Sequence, residues 1–229
     1  MRCGRLWPHL MAKPGIRKDP SVANFRIVVL ASGSGTNLQA ILDQLHGGEE
    51  GIEVVGVGSD KEGAMALERA RRVGVETAMF PTGEYADRKA RDQALGDWID
   101  ERGAELVVLA GYMQMLSREF VARFRNRVIN VHPALLPSFP GIDAVQQAID
   151  HGSKITGVTV HFVDEGMDSG PIIMQRPVPV ASTRDWDETE RAIHATEHAL
   201  LPETIRLIAA NRVRIDDRNP RLVHIDPAE

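Results

Sequence analysis

Apolar residues in this chain come in short unbroken runs separated by amphipathic stretches. Ile27-Val28-Val29-Leu30-Ala31 has no polar position, as expected of a strand covered on both faces. Leu38, Ile41, Leu42 and Leu45 then recur at helical spacing until Gly47-Gly48 stops them. The alternation continues with a strand over 54–57, a helix over 64–73 ended by Gly74, and a short strand over 77–80. A helix over 88–102 is expected to bury Leu95, Trp98 and Ile99 and to end at Gly103; strands over 106–110 and 128–131 follow. Strands separated by helix-length segments predict a parallel sheet. Residues 157–162 alternate instead, Val158, Val160 and Phe162 opposing Thr159 and His161. Residues 172–180 return after a short glycine-containing loop, so this pair is expected to be antiparallel, with Pro177 and Pro179 marking an edge. A helix over 185–210 closes the pattern, and from Asn211 the chain turns polar. The predicted fold is α/β: a single domain with a Rossmann-like, mostly parallel sheet, helices on both faces, and an antiparallel C-terminal strand pair.

Composition narrows the function classes. A chain of 229 residues, 43% hydrophobic and 26% charged, can bury a substantial core. Its net charge of −5 gives no general attraction to nucleic acid or to an anionic membrane, and no stretch is long and apolar enough to span a bilayer. Cys3 alone cannot form an intrachain disulfide and fits a reducing, cytoplasmic setting. Residues 1–24 stand apart: Arg2, Arg5, Lys13, Arg17 and Lys18 all precede the first acid, Asp19, and no secretory core is present. They are expected to be a disordered basic extension, with the folded domain covering 25–229.

Candidate chemistry sits where strands end. Ser32-Gly33-Ser34-Gly35-Thr36-Asn37 joins the first strand to a helix, so free backbone N–H groups and the positive helix end meet at one point, which suits a phosphate. The spacing is neither a P-loop nor the dinucleotide fingerprint, whose third glycine is replaced by Leu38. Asn130 and His132 lie two positions apart at another strand end, so their side chains share a direction. Asp168 follows in a loop with Gly166 and Gly170. An amide that can bond a carbonyl oxygen, an imidazole that can move a proton, and a carboxylate that can hold the imidazole charged are the parts of a non-covalent acyl transfer. His161 is given at most a supporting part. His194-Ala195-Thr196-Glu197-His198 matches H-x-x-E-H, but a catalytic zinc needs a third protein ligand that the remaining chain does not obviously offer, so no metal is expected. Residues 111–116, after the fourth strand, could line a pocket for a flat heterocycle or simply pack a loop.

Taken together, I-V-V-L-A-S-G-S-G-T-N, V-V-L-A-G-Y-M-Q-M-L-S, I-N-V-H-P-A-L-L-P, V-H-F-V-D-E-G-M-D-S-G-P and T-E-H-A-L-L-P, in that order, resemble the phosphoribosylglycinamide (glycinamide ribonucleotide) formyltransferases, folate-dependent enzymes of de novo purine synthesis. The resemblance implies transfer of a formyl group from 10-formyltetrahydrofolate, the cosubstrate, to the amine of 5-phosphoribosylglycinamide through a tetrahedral intermediate. It implies Asn130, His132 and Asp168 as catalytic residues, and Gly35, Thr36 and Asn37 as the holders of the substrate phosphate. Glu197 would contact the glycinamide end. Arg88, Met113, Gln114, Met115, Leu116, Asn130, Val163 and Asp164 would form the folate surface. The family pattern also has a cis peptide at Leu136-Pro137, and by analogy a homodimer.

The chain departs from the pattern in places. S-G-S-G-T-N replaces the commoner S-G-N-G-S-N and keeps the backbone donors. Gln114 stands where a basic residue is frequent, which weakens any inference about the acidic folate tail. Two alternatives remain: a formyltetrahydrofolate deformylase, which hands the group to water, and a non-catalytic nucleotide-binding module using the glycine loop and Asp60.

Overall fold

The computed structural model describes residues 24–181 and 186–228; the basic extension before Asn24 and the expected first residue of the last helix, Asp185, lie outside them. Seven strands form one sheet: β1 (Phe25–Leu30), β2 (Ile52–Ser59), β3 (Thr77–Met79), β4 (Leu106–Leu109), β5 (Val128–His132), β6 (Ile155–Phe162) and β7 (Ile172–Pro179), in the order β3-β2-β1-β4-β5-β6-β7. The first five run parallel, while β5–β6 and β6–β7 are antiparallel, as the change from continuous to alternating pattern predicted. β7 is the edge strand, where Pro177 and Pro179 cost least.

The uninterrupted run of β1 is explained by its two neighbours. Ile27 and Val29 enter one core, with α1 (Thr36–Gln44), α2 (Met65–Arg72) and α6 (Trp186–Ala209). Val28 and Leu30 enter the other, with α3 (Arg88–Glu101) and α4 (Arg118–Arg123). Trp98 corrects one expectation: it is only half-buried, lying over Gly56, where a Cβ would come within 2.7 Å of the indole, and beneath the Arg102 guanidinium at 4.2 Å.

Two short helices and a C-terminal hairpin were not anticipated. α4 and α5 (Ala144–Asp150) are short, and the polar stretch after Asn211 forms a hairpin, β8 (Val213–Ile215) with β9 (Val223–Ile225). Asp216 organises its turn by accepting from the Arg218 and Asn219 N–H groups and from His224 Nε2, at 2.9, 2.8 and 2.9 Å.

Two details join α1 to α6. Pro202 lies inside α6 and lacks the N–H that would bond the His198 carbonyl one turn earlier. Gln44 Nε2 of α1 supplies that missing donor at 2.9 Å. The helix that opens at the glycine loop is thereby fixed against the helix that carries Glu197. Among the described residues, no helix is long and apolar enough to cross a membrane.

Candidate active site

Strand order reverses between β1 and β4, and ligands of open α/β sheets collect in the crevice that such a reversal opens at the carboxyl ends. The loops after both strands are tied together there: Ser32 N–H donates to Gly111 O at 3.0 Å, and Met113 N–H to Ser32 Oγ at 2.8 Å. The glycine loop enters α1 with Gly35 at φ 69°, a left-handed conformation, and a Cβ there would sit 2.7 Å from Ala66 Cα. From α2, Arg69 Nε donates to Ser34 O at 2.8 Å. A cavity of about 630 Å³ opens over this loop, lined also by Lys61 and by Glu197. Glu197 is buried, and its Oε2 accepts from Asn37 Nδ2 at 3.1 Å. The expected phosphate and glycinamide residues therefore share one cavity.

If this loop holds the substrate phosphate, as the resemblance implies, Gly35→Ala is expected to raise KM for the phosphorylated substrate at least tenfold while leaving KM for the other substrate unchanged. The left-handed backbone costs an alanine roughly 1–2 kcal/mol, and the contact with Ala66 adds to it. Steady-state kinetics with each substrate varied in turn checks this; equal increases in both constants would show a general loss of structure.

Asn130 and His132 end β5, and both reach Asp168. Asn130 Nδ2 lies 3.4 Å from Asp168 Oδ1, and His132 Nδ1 lies 3.4 Å from Asp168 Oδ2. Gly141 N–H donates to Oδ2 at 2.8 Å. Asp168 takes a left-handed conformation, φ 49°, in a loop closed by Gly170, where a Cβ would collide with Phe162 O. Burial alone would raise the Asp168 carboxyl; the hydrogen bond with His161, the Gly141 N–H and the charges of His132 and His161 outweigh it and hold the group below its ordinary value. Asp168 therefore stays ionised in the neutral range.

His161, given only a supporting part by the sequence, belongs to this cluster. Its Nδ1 meets Phe162 O at 2.8 Å, a carbonyl that can only accept, so Nδ1 carries a proton. Nε2 then faces Asn130 Nδ2 at 3.3 Å and Asp168 Oδ1 at 3.6 Å. The Asn130 amide donates to Asp168 Oδ1 and lies against His161 Nε2, and both contacts are long enough for a charged oxygen to compete. His132 is 3% exposed, and its Nε2 meets Phe139 O at 2.8 Å. With protons on both nitrogens, its contacts to Asp168 and to Phe139 are both hydrogen bonds; the neutral ring can satisfy one. The loop after His132 is fixed from β6, where Thr159 Oγ1 accepts from Leu136 N–H at 3.1 Å and donates to Ala134 O at 2.7 Å. Leu136-Pro137 is cis.

Most of the expected folate surface is continuous with this cluster. Gln114, Met115, Leu116, Val163 and Asp164 line a narrow cleft together with Asn130 and Asp168. Arg88 lines an adjoining cleft of about 320 Å³ with Met113, Gln114 and Met115. Exposed Met113 and Met115 give an apolar wall that fits a flat heterocycle. Gln114 is not available as a free tail contact: it donates to Asp60 Oδ2 at 2.8 Å and accepts from Arg91 at 3.1 Å. Arg91 and Asp92, not singled out in the sequence, are a buried pair behind this segment.

A family model described as formyl transferase matches residues 25–205. The phosphoribosylglycinamide formyltransferase of Escherichia coli (strain K12) is 39% identical over 191 residues, covering 83% of this chain and 90% of that protein. The trifunctional purine biosynthetic protein adenosine-3 of Chironomus tentans is 38% identical over 200 residues, 86% of this chain. The chain spans only 14–15% of that protein and its two Drosophila counterparts. Among solved structures, glycinamide ribonucleotide transformylase 1 from Symbiobacterium toebii superimposes with a TM-score of 0.85 at 46% identity, covering 89% of this chain and 95% of that one. With its sheet order, its strand-end cluster and these relatives in agreement, the chain belongs to the formyl transferase family.

Proposed function

We propose that the protein transfers a formyl group from 10-formyltetrahydrofolate to the amine of 5-phosphoribosylglycinamide, a step of purine synthesis. The observation that carries this reading is the meeting of Asn130, His132 and Asp168 at one strand end, between the glycine-loop cavity and the Met-lined cleft. Two substrates held in those spaces would meet beside the cluster. In this reading the backbone donors of Gly35, Thr36 and Asn37 hold the phosphate, with Lys61 as a nearby cation. Glu197 meets the glycinamide end. Arg88, Met113, Gln114, Met115, Leu116, Val163 and Asp164 border the folate.

The amine attacks the formyl carbon, and the carbonyl oxygen gains negative charge. Asn130 and protonated His132 donate to that oxygen; one such donor is worth on the order of 3–4 kcal/mol. For His132 this means exchanging Phe139 O for the substrate oxygen at Nε2, while Nδ1 keeps Asp168. Asp168 holds the imidazolium, and an ordered water beside Asp168 takes the proton the amine loses. The oxyanion then collapses, the bond from the formyl carbon to the folate nitrogen breaks, and that nitrogen leaves with a proton returned by this water or by His132. No step calls on a metal. The same reading places the enzyme in the cytoplasm, as a homodimer, with no nucleic-acid or membrane partner.

The test is an assay of folate release with both substrates present and with the ribonucleotide omitted. Acceptor-dependent release and a formylated ribonucleotide are expected. Equal release without acceptor would identify a deformylase, and no release would end the reading.

A further inference from the structure

Within the H-x-x-E-H stretch of α6, a histidine and the glutamate are in direct contact. His194 Nδ1 meets Glu197 Oε2 at 3.0 Å, and His194 Nε2 lies 3.8 Å from Glu190 Oε1. His198 stacks on the His194 ring, with centroids 6.3 Å apart and planes 14° from parallel, and its own Nε2 is buried without a partner. The two imidazoles thus lie side by side, and the one nearer the cavity is committed to a carboxylate.

That carboxylate is the buried one in the ribonucleotide cavity. Glu197 Oε2 is held from two directions, by Asn37 Nδ2 at the start of α1 and by His194 one turn earlier in its own helix. No hydrogen bond from the described residues reaches Oε1. Asn37 Oδ1, also buried, has no partner either. Both acceptors belong to residues that line the cavity, so the pair presents unpaired oxygens to a ligand carrying N–H or O–H groups.

We infer that His194 is a positioning residue that makes capture of the ribonucleotide pH-dependent, its charged form fixing Glu197 as an oriented carboxylate and its neutral form holding Glu197 less firmly. The inference rests on the proposed function, in which Glu197 meets the amine end of the substrate. A charge-assisted hydrogen bond is roughly twice as strong as a neutral one, and the buried Glu197 has few other donors to replace it. His194 is itself half-exposed, so it can titrate without unfolding the helix.

The surroundings favour the charged ring. The hydrogen bond to Glu197 raises the His194 pKa above its ordinary 6.5; partial burial opposes the shift, and the charges of Glu197 and Glu190 add to it. Asp187 from α6 and Asp143 from the start of α5 line the same cavity and act in the same direction, while Lys61 and any charge on His198 act against it. Because the pKa is raised, the strong contact is complete below about 6.5 and is lost as pH rises through the elevated value.

The test is calorimetric binding of 5-phosphoribosylglycinamide between about pH 6 and 9 to the wild type, His194→Gln and His194→Lys. Glutamine keeps a neutral donor, and lysine keeps a charge through most of this range. Wild-type affinity is expected to fall roughly fivefold more steeply with rising pH than that of His194→Gln. His194→Lys should bind tightly without that fall. The ionisation of the substrate phosphate is common to all three proteins and cancels in the comparison. Parallel profiles for the wild type and His194→Gln would overturn the inference while leaving the proposed function standing. Absence of ribonucleotide binding at every pH would overturn both.

Discussion

Replacing His132 by alanine is expected to lower kcat by roughly 10²–10⁴-fold, the range of one general acid–base group, with KM for the ribonucleotide nearly unchanged. The split follows from position. His132 ends β5 and touches Asp168 and Phe139, whereas the glycine loop and Glu197 belong to the neighbouring cavity. His132→Gln keeps a donor and most of the buried volume, so it separates lost chemistry from lost packing. Its thermal midpoint should match that of the wild type while its turnover stays low. Asp168→Asn should fall between them, because it leaves the Asn130 and His132 donors in place but removes the charge that both histidines face. A His132→Ala enzyme whose loss appeared wholly in KM would remove the residue from the chemistry.

Replacing Arg91 by methionine is expected to destabilise the fold by about 3–5 kcal/mol, the usual result of leaving one partner of a buried ion pair uncompensated. Arg91 and Asp92 have side chains 2% and 1% exposed, in contact at 2.7 Å. The guanidinium also donates to Gln114 Oε1 at 3.1 Å and to Met115 O at 3.0 Å, and the other Asp92 oxygen takes the Ser117 N–H. The pair therefore anchors the segment that walls the proposed folate cleft. Urea unfolding should show the lower midpoint, and folate KM should rise in the surviving enzyme. Arg91→Lys should recover little, since an ammonium cannot reproduce the fork. Arg91→Met combined with Asp92→Leu should recover part of the stability but not the folate KM, because Met115 O and Ser117 N–H stay unpaired. Full stability in Arg91→Met alone would contradict the anchoring role.

These two residues mark how far the sequence could be read. Strands β1 and β4 were legible because positions 27–30 and 106–109 alternate between two cores, so no polar residue interrupts either run. Asn130 and His132 were legible as a pair because strand periodicity puts alternate residues on one face. Asp168 needed the family resemblance: nothing local distinguishes it from a turn aspartate, and its partners come from β5, β6 and the loop carrying Gly141. Arg91 and Asp92 were missed because a charged dipeptide in a helix reads as a wet face until α4 and the 114–117 segment cover it. α4 and α5 hold six and seven residues, too few for helical spacing to stand out. The β8–β9 hairpin sets Val213, Ile215 and Val223 against the core, but its strands hold three residues each and its turn is built on Asp216, too short a pattern for hydrophobic periodicity to stand out.

The proposed transfer requires one carbon to react within reach of Asn130 and His132. The most direct measurement is a crystal structure with 5-phosphoribosylglycinamide and a non-reactive folate analogue that keeps an oxygen in the formyl position. That oxygen is expected about 3 Å from Asn130 Nδ2 and His132 Nε2, with Phe139 O displaced, His132 still on Asp168, and the phosphate on the Gly35–Asn37 backbone. An analogue oxygen bound away from both donors, with the His132–Phe139 contact intact and both ligands seated, would contradict it.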